Sequence, residues 1–281
     1  MYLTHFGLKE LPFGLTPDTQ FAFAGRAHQE GLNTLLVAVE GGEGFIKITG
    51  EVGTGKTLLC RRFLKALHAN RQGHVSAYLP NPCLDPRSLL LSLAEELGEL
   101  LPPTAHHHVL VKRLNDMLLQ FARAGKRVVV CIDEAQALPL ESLEALRLLS
   151  NLETEKHKLL QLVLFGQPEL HDKLARREIR QLRQRIAFAY ELSGLQRSEL
   201  DRYLLHRLQV AGYRGAPVFS AAAVRLLHHA SRGIPRLVNV LAHKSMLSAY
   251  GEGRYQVGRA HVRAAVGDTE GVGLSWWRLA L

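Results

Sequence analysis

The sequence predicts an α/β fold: a five-stranded parallel sheet with helices on both faces, followed by a small all-helical lid domain. Short apolar segments alternate with helical stretches over the first two thirds of the chain, and the predicted strands are residues 45–49, 75–79, 128–132, 159–165 and 187–192. Apolar strands separated by helices are typical of a parallel sheet that is buried on both faces. Beyond Gly194 this alternation stops, and helical stretches follow at residues 198–210, 220–231 and 235–250.

Length and composition are compatible with this organisation. A chain of 281 residues, 47% hydrophobic and 22% charged, can bury a full α/β core and carry a second small domain. We therefore predict an α/β domain over residues 1–193, a helical lid over 194–267 and a carboxy-terminal tail over 268–281. We expect neither a signal peptide nor a transmembrane segment, because no basic start precedes an apolar run and no run reaches about 18 apolar residues.

The charged residues and the cysteines restrict partners and compartment. Lys and Arg number 35 against 26 Asp and Glu, a formal net charge of +9, which favours nucleic acid, anionic lipid or polyphosphate ligands. Part of this excess lies in one arginine-rich stretch, residues 176–185, so charge alone gives weak support for a nucleic-acid partner. Three cysteines without a CxxC pair, Cys60, Cys83 and Cys131, favour a reducing cytoplasm.

A glycine-rich loop between the first predicted strand and the next helix has the pattern GxxxxGK[ST]. Its residues are Gly50, Glu51, Val52, Gly53, Thr54, Gly55, Lys56 and Thr57, and Leu58 follows in the helix. In such a loop, backbone N–H groups surround phosphates, the helix N-terminus adds positive potential, and the lysine reaches the β- and γ-phosphates. The hydroxyl of Thr57 is expected to bind Mg²⁺. The loop therefore predicts binding of ATP with Mg²⁺.

Two carboxylates directly follow the apolar strand at residues 128–132. Asp133 would bind Mg²⁺, directly or through its water, and Glu134 would orient and deprotonate the water that attacks the γ-phosphate. A strand that ends in Asp-Glu is often only a strand that meets solvent. The glycine-rich loop upstream favours the metal-binding interpretation.

Gln167 follows the fourth predicted strand, at residues 159–165. There its side chain would reach between Glu134 and the γ-phosphate. The alternative is an ordinary polar residue at the end of a strand.

Residues 176–185 are predicted as a helix on which Arg176, Arg180 and Arg183 share one face. A solvated basic face is the ordinary interpretation. The alternative is an arginine finger that completes the ATP site of a neighbouring subunit, since a guanidinium offsets charge that develops on the γ-phosphate. Arg185 is the first candidate, followed by Arg183 and Arg180.

A helix of the lid begins at Pro235 and carries Arg236 in its first turn. The helix dipole disfavours a cation at this end. Arg236 is therefore predicted to face an anion, the γ-phosphate held by the other domain. A surface arginine is the alternative.

With these elements in this order, the chain resembles an AAA+ ATPase over nearly its whole length. Walker A loop, Walker B strand, sensor 1, arginine finger and a helical lid with sensor 2 are all represented. More narrowly, the chain is similar to the general secretion pathway protein A (ExeA) family, through residues 6–8, 11–13, 17–18, 21–23, 133–136, 166–170, 184–185 and 233–236. Longer members continue into a transmembrane helix and a peptidoglycan-binding domain, so this chain is most similar to the short MSHA pilus biogenesis (MshM) type.

The resemblance implies a Mg²⁺-dependent ATPase that assists assembly of a type IV pilus or type II secretion apparatus. It implies an oligomer in the cytoplasm, beside the inner membrane, and it places Leu11, Pro12 and Phe13 near the adenine. Two other functions stay open. A DNA-dependent ATPase of the transposition-helper type fits the basic charge, although no separate helix-turn-helix or zinc module is evident. A non-hydrolysing nucleotide switch is the other, and Glu134 counts against it.

Overall fold

The computed structural model describes residues 2–15, 20–69, 73–80, 84–151, 158–270 and 272. The chain divides into two compact units. The sheet unit comprises residues 30–52 and 56–192, and the helical unit comprises residues 1–29, 53–55 and 193–281. Some residues named in the sequence analysis lie outside the described ranges: Pro17, Asp18, Cys83, and residues 271 and 273–281 of the predicted carboxy-terminal tail.

The sheet unit contains five parallel strands in the order β2-β3-β4-β1-β5. They are β1 (Phe45–Thr49), β2 (His74–Leu79), β3 (Arg127–Ile132), β4 (Leu160–Gly166) and β5 (Ile186–Glu191). Because all strands run the same way, their carboxyl ends meet at one edge of the sheet, where ligands bind in open α/β folds. The predicted five-stranded parallel sheet is confirmed.

Among the described residues, α-helices fill most of the remaining chain. They are α1 (Tyr2–Phe6), α2 (Arg26–Glu40), α3 (Lys56–Ala69), α4 (Pro86–Glu96), α5 (His107–Arg123), α6 (Leu140–Leu149), α7 (Glu169–Ala175), α8 (Arg180–Gln184), α9 (Arg197–Val210), α10 (Ala221–Ser231), α11 (Pro235–Gly251) and α12 (Arg259–Gly267). Short 3-10 helices lie at Ala135–Ala137 and Arg177–Ile179. None of the helices within these ranges combines the length and the hydropathy needed to cross a membrane.

The three central strands, β1, β3 and β4, are buried on both faces, whereas the edge strands β2 and β5 are partly exposed. Successive side chains of a strand point to opposite faces. Val130 and Leu162 belong to a core shared with α4, α5 and α6, whereas their neighbours Cys131 and Val163 are equally buried but lie outside that core. This explains why the strands are continuous apolar runs in the sequence rather than alternating ones.

The arginine-rich stretch is not the single helix that the sequence predicts. Helix α7 ends at Ala175, Arg176 has extended backbone (φ −63°, ψ 146°), and a 3-10 turn separates it from α8. In one continuous helix the buried side chains Leu170 and Ile179 would lie on opposite faces, because the separation between them is about two and a half helical turns. The prediction that Arg176, Arg180 and Arg183 share one helical face is therefore wrong.

The helical unit has its own core, formed by α9 to α12 together with the amino-terminal segment. Phe6, Phe13 and Phe21 are buried in it. Arg207 on α9 is also buried; its Nε donates to the carbonyl oxygen of Pro12 at 2.5 Å, and its guanidinium lies 4.8 Å from the ring centroid of Phe21. The amino-terminal residues thus pack with this unit. The predicted domain boundaries, 1–193, 194–267 and 268–281, stay a prediction.

The turn between α10 and α11 requires glycine. Gly233 has φ +72°, and a Cβ there would lie 2.2 Å from the backbone oxygen of Leu195. Gly253 has a similar φ of +67°, but nothing lies within 4 Å of the corresponding position. We expect Gly253→Ala to lower the free energy of unfolding by about 1 kcal/mol through its backbone conformation alone.

Gly233→Ala is expected to lower the free energy of unfolding by about 3 kcal/mol, because the same conformational cost is joined by a backbone clash. Urea denaturation of the two variants beside the parent protein measures the difference. Equal losses for the two glycines would show that the close approach to Leu195 does not constrain this turn.

Candidate functional site

The loop at residues 50–57 joins β1 to α3. Gly53 (φ +85°) and Gly55 (φ +96°) adopt left-handed backbone that favours glycine, as a loop that turns its N–H groups inward requires. The Lys56 ammonium is buried and donates to the backbone oxygens of Gly50 (2.8 Å) and Glu51 (3.1 Å). Burial lowers the pKa of Lys56, and nearby carboxylates oppose the shift without cancelling it. Leu58 follows in the first turn of α3, half-buried.

Asp133 and Thr57 meet at the carboxyl end of β3. Asp133 is 2% exposed, and its Oδ2 accepts from the Thr57 hydroxyl at 2.6 Å and from the Tyr78 hydroxyl at 3.4 Å. Burial, reinforced by the charge of Asp133, raises the pKa of Tyr78, so its hydroxyl stays a donor. A carboxylate beside a hydroxyl is the hard oxygen set that Mg²⁺ prefers, and these two residues therefore fit the predicted metal site.

Glu134 has an unusual backbone and a well-held side chain. Its φ of 51° and ψ of 38° are left-handed, which costs a non-glycine residue roughly 1 kcal/mol and often marks a functional position. Its Oε2 accepts from Nε2 of Gln167 at 2.9 Å and from Nε2 of Gln136 at 2.5 Å. Burial alone would raise the pKa of Glu134, but these hydrogen bonds and the charge of Lys56 outweigh it and hold the pKa below its usual value.

The end of β4 brings Gln167 to the carboxylate pair, where the sequence analysis expected it. Gln136 is a residue to which that analysis gave no role, and its side-chain oxygen accepts from the backbone N–H of Gln167 at 3.0 Å. A polar residue in the turn that follows two strand-end carboxylates is the sequence signal that could have found it. Tyr78, which ends next to Asp133 from the neighbouring strand β2, was also missed.

The candidate arginine fingers lie on the surface of the sheet unit. Arg180, Arg183 and Arg185 are all exposed. Nη1 of Arg185 donates to Oγ of Ser150 at 2.9 Å and to the backbone oxygen of Arg147 at 3.3 Å, at the end of α6. Both contacts lie within this chain, and a role of Arg185 at the ATP site of a second copy stays a prediction.

Within the helical unit, Arg236 contacts a residue of the glycine-rich loop. The backbone N–H of Arg236 donates to the carbonyl oxygen of Gly53 at 3.2 Å. A Cβ added to Gly53 would lie 2.5 Å from the Cβ of Arg236, so only glycine allows this approach. Pro235 precedes Arg236 as the first residue of α11, where its missing N–H costs no helical hydrogen bond.

The residues predicted near the adenine lie in different environments. Phe13 is 3% exposed, with its ring edge-on to Phe219 at a centroid distance of 6.0 Å, so its side chain belongs to the helical core. Pro12 is buried beside it and accepts the Arg207 hydrogen bond, whereas Leu11 is 50% exposed. Contact of these residues with a base stays a prediction.

Comparisons with solved structures support the fold. The chain is similar to the Aeropyrum pernix ORC2 protein in its ADPNP-ADP complexes (TM-score 0.64, 18% identity, 95% of this chain and 75% of that one). Pyrobaculum aerophilum Cdc6p gives a TM-score of 0.65 at 16% identity over 90% of this chain and 71% of that one. The Thermotoga maritima RuvB motor gives 0.54 at 18% identity over 86% and 68%. At such identities these similarities show the fold alone.

Sequence comparisons are more specific. Residues 39–174 match the AAA domain family. The chain is 40% identical to General secretion pathway protein A of Aeromonas hydrophila over 272 aligned residues. The aligned segment covers 97% of this chain and 49% of that protein. The chain thus spans about half the length of this curated relative. The family predicted from the motifs is confirmed: the chain belongs to the AAA proteins related to general secretion pathway protein A.

Proposed function

We propose that this protein hydrolyses ATP in a Mg²⁺-dependent reaction. The observation that carries the proposal is the arrangement at the carboxyl end of β3. There Asp133 and Thr57, the proposed metal ligands, share a hydrogen bond beside Glu134, whose carboxylate accepts a hydrogen bond from Gln167. A protein that only binds nucleotide does not need a charged carboxylate oriented in this way.

Each residue has a role that follows from its chemistry. The loop at residues 50–57 and Lys56 would bind the β- and γ-phosphates. Thr57 and Asp133 would hold Mg²⁺, which offsets the phosphate charge. Glu134 accepts a proton from the attacking water, and Gln167 keeps its carboxylate in place.

Two arginines would complete the reaction cycle. In this proposal Arg236 contacts the γ-phosphate from the lid, and Arg185 of a neighbouring subunit offsets the charge that develops during transfer. Loss of the γ-phosphate removes both contacts and changes the lid or the subunit packing. Self-association through the ATP site is therefore part of the proposal.

The relative named General secretion pathway protein A suggests the cellular role. We propose that ATP hydrolysis assists assembly of a type II secretion apparatus or of a type IV, MSHA-like pilus, by a protein in the cytoplasm at the inner membrane. The partners would be assembly proteins of that membrane. Because the chain spans about half of its relative, this role rests on the shared half alone.

A second candidate is a DNA-dependent ATPase, favoured by the net charge of +9. Steady-state phosphate release with Mg²⁺, measured over a range of protein concentrations with and without duplex DNA at low salt, separates the candidates. A rate per subunit that rises with protein concentration and ignores DNA supports a self-assembling ATPase. Strong stimulation by DNA, lost as salt rises, would replace this proposal by the DNA-dependent one.

The arginine finger gives a separate prediction. Arg185→Ala protein and Glu134→Gln protein are each expected to be inactive alone, but a mixture should recover part of the activity. Some interfaces then combine an intact Glu134 with an intact neighbouring Arg185. Phosphate release by the mixture is the measurement, with Arg123→Ala, an exposed arginine on α5, as the control. No recovery in demonstrated mixed oligomers would remove Arg185 from this role.

A further inference from the structure

Gln136 closes a ring of three hydrogen bonds around the carboxylate of Glu134. Its Nε2 donates to Oε2 of Glu134 at 2.5 Å, and its Oε1 accepts from the backbone N–H of Gln167 at 3.0 Å. The side chain of Gln167 completes the ring with a 2.9 Å hydrogen bond to the same Oε2. Gln136 therefore joins the carboxylate at the end of β3 to the backbone at the end of β4.

The chemistry of the ring fixes which end of the Gln136 amide faces which neighbour. A backbone N–H can only donate, so the atom that faces Gln167 must be the oxygen. The amide nitrogen then necessarily faces Glu134, whose ionised carboxylate can only accept. The neighbours of Gln136 therefore determine which atom of its amide is the nitrogen and which is the oxygen, two atoms that are otherwise hard to tell apart.

Both amide donors reach Oε2. Among the described residues, the hydrogen bonds of the Glu134 side chain are confined to this one oxygen, which leaves Oε1 available to water. A glutamate side chain has three rotatable torsions and would otherwise sample several orientations. The hydrogen bonds from Gln136 and Gln167 to Oε2 restrict the orientations of the Glu134 side chain and thereby set the direction in which Oε1 points.

The Gln136 side chain is not needed to hold the turn in which it lies. The ammonium of Lys173 donates to the backbone oxygens of Gln136 and Leu138, the second at 2.6 Å. Backbone hydrogen bonds also close the turn, from Ala137 N–H to Glu134 oxygen at 2.8 Å. Because other contacts hold the backbone of this turn, the Gln136 amide group is available to hold the Glu134 carboxylate.

We propose that Gln136 is a positioning residue for ATP hydrolysis: it ties the Glu134 carboxylate to the end of β4 and presents Oε1 to the attacking water. The inference rests on the proposed ATPase function. It adds a residue that acts through Glu134 without touching ATP. It also means that any displacement of the Gln167 backbone is transmitted to the carboxylate through the Gln136 amide.

The test is Gln136→Met, which keeps side-chain length and removes both the donor to Glu134 and the acceptor for the Gln167 N–H. We expect kcat to fall about tenfold, the effect of one hydrogen bond to a charged group. The affinity for ATP and KM should stay within twofold, and the melting temperature should stay close to that of the parent. Gln120→Met on the exposed face of α5 is the matched control. Gln136→Glu keeps the shape of the side chain and the acceptor for the Gln167 N–H, but it places a second carboxylate against Oε2 of Glu134. We expect kcat to fall at least as far as in Gln136→Met, because the two carboxylates repel each other.

A double-mutant cycle with Gln167→Met tests the shared oxygen. Because both amides hold the same Oε2, the double variant should lose less than the product of the two single losses. If the loss of kcat in the double variant equals the product of the two single losses, Gln136 and Gln167 act independently and not as parts of one ring. An unchanged or higher kcat, or parallel losses of kcat, ATP affinity and melting temperature, would overturn the positioning role.

Different results would overturn the proposed ATPase function and the role of Gln136. If the parent protein releases no phosphate, or Glu134→Gln is as active as the parent, the function falls and the role of Gln136 falls with it. If Glu134→Gln is inactive and Gln136→Met is fully active, only the role of Gln136 is lost.

Discussion

Replacing Glu134 by glutamine is expected to lower ATP turnover by at least a hundredfold and to leave ATP affinity nearly unchanged. The amide oxygen can take the place of Oε2 and accept from Gln136 and Gln167 as the carboxylate does. The amide nitrogen then replaces Oε1 and cannot accept a proton. Loss of a general base typically costs about 10²- to 10⁴-fold in rate.

Phosphate release and equilibrium binding of a fluorescent ATP analogue measure the two effects separately. Glu95→Gln is the matched control, since Glu95 is exposed on α4 of the same unit. Turnover by Glu134→Gln close to that of the parent would mean that another group activates water. A parallel loss of ATP affinity would instead point to damage of the loop.

Replacing Lys56 by alanine is expected to weaken ATP binding by at least tenfold. The change removes the buried ammonium from the loop. A hydrogen bond between charged groups contributes about 1.5–3 kcal/mol, or roughly ten- to a hundredfold in affinity. In the described structure the same ammonium donates to the carbonyls of Gly50 and Glu51, which are weaker acceptors than phosphate oxygens.

Isothermal titration of ATP with Mg²⁺ measures this change. Lys65→Ala lies on the same helix, is exposed, and removes the same charge from the protein. Lys65→Ala should bind ATP like the parent. Equal affinity of Lys56→Ala and the parent would contradict the assignment of the loop as a phosphate site.

The sheet could be predicted because its three central strands are buried on both faces. Runs such as residues 128–132 are apolar at every position, which marks them without knowledge of their neighbours. Helices with a wide apolar face were equally evident. Helix α10 also begins after a serine, a residue typical of N-caps, and Oγ of Ser220 accepts from the Ala223 N–H at 3.2 Å.

Features that depend on distant contacts were missed. Helix α12 has only nine residues, with a buried face of His261, Val262, Ala265 and Val266, too little to stand out from a loop. The helix break at Arg176 follows from the spacing of the buried side chains, which only the packing reveals. The burial of Phe13 and Phe21 in the helical unit depends on α9, far along the chain.

In the candidate site, too, some residues could be predicted from the local sequence and others depend on contacts between distant parts of the chain. Lys56, Thr57, Asp133 and Glu134 belong to motifs whose spacing carries the chemistry, so the sequence was sufficient to name them. Gln136 and Tyr78 act through contacts between strands that are adjacent in space. Gln136 has one local signal, its place in the turn after two strand-end carboxylates, whereas Tyr78 has none. The sheet order was needed to show which side chains they contact.

The central claim is that the chain hydrolyses ATP at the Asp133–Glu134 site. A single-turnover experiment tests it most directly: protein in excess over ATP, with Mg²⁺ or with a chelator, and the ADP formed measured over time. We predict complete conversion to ADP with Mg²⁺, none with the chelator and almost none with Glu134→Gln. ATP that binds and is recovered intact in the presence of Mg²⁺ would contradict the account and identify a nucleotide switch instead.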